Sequence, residues 1–237
     1  MNALFAGLFA GAIVVLLQYL LTEPLILEAE EYESGAKVHF AGLAEAGVMH
    51  DHGANMQAEA LSTAEADVEA ENIASRFSLA FAADFVVYVA WALIMSALVS
   101  IAVDKGVKMT LQNGLLWGFA GYVAVHIAPG VGLPPELPGI PAADLQARQL
   151  WWIGTVLSAA VAMGLFAFGK NLAAIAGGVV LLVFPHVIGA PQIAQLAGLA
   201  PPSLAGEYVA RSYAVALAGW SVLGLAMAWL WSRPQAT

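Results

Sequence analysis

Residues 126–152 read HIAPGVGLPPELPGIPAADLQARQLWW, and the reading of this stretch decides the fold. Five prolines fall between Pro129 and Pro141, with Gly130, Gly132 and Gly139 among them and Gly121 just ahead. Each proline removes a backbone donor and crowds the turn before it, so the sequence predicts that no helix runs through the stretch. The same segment carries Glu136, Asp144 and Arg148 and ends on Trp151 and Trp152. Stiff backbone, fixed charges and an aromatic belt together suggest a shaped rim at a membrane surface.

Outward from this hinge the chain is apolar on both sides. Of its 237 residues 61% are hydrophobic and 11% charged, and the mean hydropathy is +0.79. A helix crosses the hydrocarbon core with about 20 apolar residues. Runs that can do so cover 3–21, 79–103, 111–128, 151–168, 172–187 and 212–231. The fold expected is all-α: a polytopic membrane helix bundle of about six transmembrane helices, or five if the fourth and fifth runs form a re-entrant hairpin. The first run has no positive start and no small-residue cleavage site, so it reads as a retained helix. Gly7 and Gly11 give it a small-xxx-small face for packing. With the N-terminus inside, Lys105, Lys108, Lys170 and Arg233 all fall on short cytoplasmic segments, as the positive-inside rule prefers.

The whole chain, 1–237, reads as a single membrane domain. Within it, 23–78 reads as a long acidic extracytoplasmic loop after the first span. It holds Glu23, Glu28, Glu30, Glu31 and Glu33, then His39, His50, Asp51 and His52, then Glu65, Asp67, Glu69 and Glu71. A solvated linker is the plain reading of such a run. The His-Asp-His cluster adds ligands suited to cobalt, nickel or zinc. Asp84 falls in the first turns of the second span, where an acid marks a functional candidate or a residue paired near the interface with Arg76 or Arg148. His126 and His186 each stand beside a proline that is expected to break its helix, where freed carbonyls could join a ring nitrogen around a cation.

Several classes of function are disfavoured. The net charge of −9 argues against nucleic acid as a partner. With no cysteine there is neither a disulfide nor a thiolate metal site. No HExxH, phosphate-cradling loop or nucleophile–base pair stands out, so an enzyme is not expected, nor a permanent cofactor. The polar side chains near the membrane gather toward the outer face, so one copy looks like half of a cation pathway. An oligomer or a second subunit would supply the rest. Alternatively, Arg148 paired with Glu136 or Asp144 would simply lock the hinge of an accessory subunit.

At GLPPELPGIPAADLQARQLWW, PLILEAEEYE, GLLWGFAGY and PHVIGAP the chain resembles the cobalt transporter subunit CbtA family of bacteria and archaea. The resemblance implies a multi-pass inner-membrane protein for uptake of cobalt, Co²⁺, as cargo, serving cobalamin synthesis. It also implies a very small, single-span, histidine-bearing partner, CbtB. The family's motif positions fall here on Glu28 and Glu30, Glu136, Asp144, Arg148, Gln149 and His186. The family often has an acidic-Trp-x-Pro segment with Asp-Gly and Arg before the second span, and here only Arg76 corresponds. Its members are usually described with five spans.

Overall fold

The computed structural model describes residues 2–38, 63–193 and 198–233, with the side chains of 63–74, 76 and 77 left aside. Every regular element among the described residues is helical. Helix α1 spans Asn2–Leu21, α2 Glu23–Glu33, α3 Thr63–Asp104 and α4 Leu111–Tyr122. A π-helical turn, Val123–Ile127, leads directly into α5, Ala128–Gly130. Then come α6, Leu145–Phe168, α7, Leu172–Ile188, and α8, Pro202–Trp231.

Local chemistry sets the helix ends. The Thr110 hydroxyl accepts from the Asn113 amide at 3.2 Å, the Asp144 carboxylate from Ala147 at 2.9 Å, and the Asn171 side chain from Ala174 at 2.9 Å. These N-caps start α4, α6 and α7 by satisfying amides that have no partner inside the helix. After α7 the chain turns at Gly189, whose φ of +88° suits a residue without Cβ.

Four helices are long and apolar enough to cross a membrane: α1, the 78–104 part of α3, α6 and α8. The 17-residue α7 is apolar but shorter. The run 111–130 is helical throughout, split by its π turn, and about 30 Å long at 1.5 Å per residue.

Packing joins these helices side by side. Helix α3 lies on α1, α1 on α8 and α8 on α4; the π turn then meets α6, and α6 meets α7. The contacts depend on glycine. A Cβ on Gly7 would sit 2.7 Å from the Val89 Cα, so α1 and α3 touch backbone to backbone, as the Gly7/Gly11 face of α1 predicts. Gly114 and Gly118 do the same against Gly224 and Trp220. The core between these contacts holds Val14, Tyr88, Met95, Val99, Trp220, Leu223 and Met227, all buried.

The two ends of the fold differ. At one end the Asn2 amide donates to the Leu230 carbonyl at 3.2 Å, beside the turns that bear Lys105, Lys108 and Lys170 and beside Arg233. At the other end, a second small core packs Leu25 and Ala29 of α2 against Leu137 of the hinge and Ala200 and Leu204 of α8. The acidic stretch is therefore not loop throughout: Glu23–Glu33 is helix folded over the hinge. From Thr63 the Ala/Glu-rich run is already the start of α3, because alanine and glutamate are strong helix formers.

Candidate functional site

The hinge and the loop before α8 meet at the α2 end around a cleft of about 160 Å³. Gly132, Pro134, Glu136, Ile140, Arg148 and Gln192 are among its walls. The Gln192 amide closes one side by donating to the Gly132 carbonyl at 3.0 Å. Across the cleft the Arg148 guanidinium donates to the Glu136 carboxylate at 2.8 Å, with both side chains about a quarter to a third exposed. The prolines hold Glu136 on a rigid turn, while Arg148 is fixed by the first turn of α6.

That first turn starts earlier than the expected fourth span. Asp144 caps a helix beginning at Leu145, so Arg148 and the exposed Gln149 are helical, not loop. Asp144 is exposed, with one oxygen used by Ala147.

The expectation that prolines break the helices beside the two histidines is corrected. Helix α7 runs through Pro185 to Ile188. The carbonyl that Pro185 leaves without an amide, that of Leu181 four residues back, accepts the Ser158 hydroxyl of α6 at 2.6 Å. The Pro185 carbonyl takes the Trp151 indole N–H at 3.1 Å, and the Trp151 ring stands edge-on to His186 at 5.8 Å. Neighbouring side chains thus occupy the carbonyls that a cation would have used.

Helical structure likewise passes Pro129 as far as Gly130, because the turn before it shifts register. The Ala128 amide bonds back to Val123, one residue further than in an α-helix. His126 sits in this π turn. Its Nδ1 accepts the Trp220 indole N–H at 3.1 Å, and Tyr122 stacks on the ring at 6.0 Å. Indole nitrogen only donates, so the neutral imidazole carries its hydrogen on Nε2. Ligation of a metal at either nitrogen therefore requires Trp220 to let go: at Nδ1 directly, and at Nε2 because the proton would have to move to Nδ1.

Asp84 lies near the side chain of Gln18 on α1. It is the seventh residue of the apolar span 78–104, within its first two turns. The Asp84 carbonyl stands near Gly11, the tenth residue of the 20-residue α1. The helix begins well before the apolar run, at Thr63, while the membrane-length part begins at Ser78, close to the expected start of the span.

Just beyond α2, Lys37 lies 2.5 Å from Glu31 and 3.6 Å from Glu28 of that helix. The hydrogen bond to Glu31 is the main reason the Lys37 ammonium holds its proton above the usual lysine value, with the charges of Glu31 and Glu28 adding to it. Glu30 is half-buried on the same helix and also has an interaction partner. His39, His50, Asp51 and His52 lie outside the described residues, as does the side chain of Arg76. Among the described residues, no three His, Asp or Glu side chains converge as a metal-ligand group.

Three features of this end escape sequence reasoning: Trp220 and Tyr122 around His126, Ser158 capping the Leu181 carbonyl, and the Arg211 guanidinium bonding the Leu21 carbonyl at 2.9 Å while pairing with Glu207. Each joins residues from different helices. The small residues at four-residue spacing in α8, Ala216, Gly224 and Ala228 around Trp220, were the available sign of a close crossing.

Comparison with protein families gives a match over residues 1–232 to the family described as Probable cobalt transporter subunit (CbtA). No curated protein and no solved structure matches the chain.

Proposed function

Because the chain belongs to the CbtA family of probable cobalt transporter subunits, we propose that it gathers divalent cations at its α2 end, the outer face, and hands them to a pathway completed by another chain. Its N-terminus then lies in the cytoplasm of a bacterium or archaeon, in the inner membrane, with 111–130 and α7 crossing as well for six spans. The observation that carries this reading is the asymmetry of the fold. Glu28, Glu30, Glu136, Asp144 and His186 all belong to the α2 end, whereas the basic turns sit at the other. A cation stripped of water needs several ligands at once. Since the described ligands of one chain do not converge, the missing groups come from the partner, a small CbtB-like subunit, or from a second copy. His126 joins the path when Trp220 swings away, and the delivered cobalt serves cobalamin synthesis.

A second reading is an accessory or structural subunit without its own pathway. The Arg148–Glu136 pair favours it, since both groups already satisfy each other. The test is uptake of radioactive cobalt by cells expressing the chain with and without the small partner. Uptake that needs both chains and falls in Glu136→Gln and His186→Ala supports collection at the α2 end. Uptake unchanged in these variants supports the accessory reading, provided the variant proteins are folded in the membrane.

A further inference from the structure

We propose that Lys108 and Arg233 hold the phosphate of an anionic phospholipid at the end where α4 crosses α8. The two ends of the fold treat their cations differently. Toward the α2 end, each lysine or arginine with a described side chain has an acid: Lys37 pairs with Glu31 and Glu28, Arg148 with Glu136, and Arg211 with Glu207. At the other end Lys105, Lys108, Lys170 and Arg233 are all exposed, and among the described residues none has a carboxylate partner. Asp104, beside them in the chain, pairs with none of them. Four cations gathered without acids make a field that attracts an anion from outside the chain.

Helix packing brings two of these cations to one place. Gly118 of α4 lies against Trp220 and Gly224 of α8, and Gly114 lies against Gly224 and Ala228. The helices are therefore antiparallel, and each turn toward the start of α4 is a turn toward the end of α8. Carried to the helix ends, this register sets the turn bearing Lys108 level with Ser232 and Arg233. That turn is fixed: the Asn113 amide donates to the Lys108 carbonyl at 2.6 Å, Thr110 caps α4, and Gly106 at a φ of +92° ends α3. Arg233 is held too, with its guanidinium carbon 3.5 Å over the Trp229 ring. Face-on stacking leaves the N–H groups at the edge of the guanidinium plane, where they can grip two oxygens of one phosphate. Lys108 adds a point charge beside that fork.

The occupant is a lipid because the cations stand at the edge of an apolar wall. Leu111, Leu115 and Leu116 of α4 and Trp229 of α8 are all exposed. In a membrane bundle such side chains meet acyl chains, and tryptophan sits at headgroup level. A phospholipid satisfies both parts at once, its phosphate on Arg233 and Lys108 and its chains along this wall. A free phosphate would gain the charge alone, in screening solvent. The bound phosphate also ties α4 to α8 at the crossing where glycine brings their backbones together. Which leaflet supplies the lipid rests on the proposed orientation; the site itself does not.

Native mass spectrometry of the full chain, released from vesicles of equal phosphatidylglycerol and phosphatidylcholine, tests the site. The wild type is expected to retain phosphatidylglycerol about tenfold over phosphatidylcholine, as a charge-assisted phosphate contact requires. Lys108→Gln/Arg233→Gln should abolish that preference. Lys105→Gln/Lys170→Gln removes the same charge from the same end. It should weaken the preference by less than about threefold, since charges outside the contact act through screening solvent. Arg233→Lys keeps the charge but loses the fork and the stack, and should fall between the wild type and the first double variant. The unfolding temperature is a second readout: phosphatidylglycerol should raise it in the wild type and not in Lys108→Gln/Arg233→Gln. Equal losses in the two double variants would mean diffuse attraction to the basic end and overturn the proposal. So would equal retention of the two lipids. Displacement of the bound lipid by excess glycerol phosphate would make this a site for free anions and overturn it as well.

Discussion

Replacing Gly224 by alanine isolates the contact that holds α4 to α8. The added Cβ would stand 3.0 Å from both the Gly114 carbonyl carbon and the Gly118 nitrogen, and closer still to the Gly114 oxygen. Ordinary contact begins near 3.4 Å, and every atom met is backbone, so no rotamer change relieves the clash. The helices must part, and the atoms around Leu223 and Met227, both fully buried, lose contact with them. Overpacking of this kind costs about 1–3 kcal/mol. Alanine returns roughly 1 kcal/mol of helix propensity. The expected net loss is about 0–2 kcal/mol. Gly154 on α6 is the control, since a Cβ there meets nothing within 4 Å. Gly154→Ala should gain about 0.5–1 kcal/mol, because alanine loses less freedom on folding. The assay is reversible unfolding in mixed micelles followed by tryptophan fluorescence. A Gly224→Ala protein as stable as Gly154→Ala would refute the claim that backbone contact, not lipid or length, sets this crossing.

Ser158→Ala should cost about 1 kcal/mol by leaving the Leu181 carbonyl unpaired. In a Pro185→Ala background that cost should vanish, because the new amide serves the same carbonyl; an unchanged cost would mean the hydroxyl acts elsewhere. For Glu136 and Arg148, a double-mutant cycle to glutamine and methionine should give a coupling of about 1 kcal/mol, as expected for a charge-assisted pair with partial exposure. A coupling of zero would remove the pair as a lock of the hinge. The Lys37 ammonium is favoured by the fold, so its contribution is complete below the ordinary lysine value of 10.5 and is lost as pH rises through the higher folded value. Isotope-labelled lysine should therefore show one ammonium titrating later than the others; Lys37 titrating with the bulk would contradict its bond to Glu31.

Hydropathy determined much of this protein before any coordinates. Runs of apolar residues near bilayer length place helices wherever backbone polar groups must be satisfied internally, and α1, α6 and α8 lie where such runs fall. That Arg148 would pair with Glu136 or Asp144 was also legible; the structure gives it Glu136. What periodicity could not give was anything depending on two helices at once. Prolines at 129 and 185 were expected to stop their helices, and locally they should. Yet a π shift and the hydroxyl of Ser158 on a neighbouring helix keep them continuous. His126 read as a candidate ligand or as a histidine bonded inside the bundle, and its own segment could not name the partner; Trp220, 94 residues away, donates to its Nδ1. Asp84 read as a functional or interfacial acid near the start of its apolar run, and the span 78–104 keeps it there. Its neighbour across the bundle, Gly11 of α1, was not legible in its own segment, because that register is set by how two helices pack.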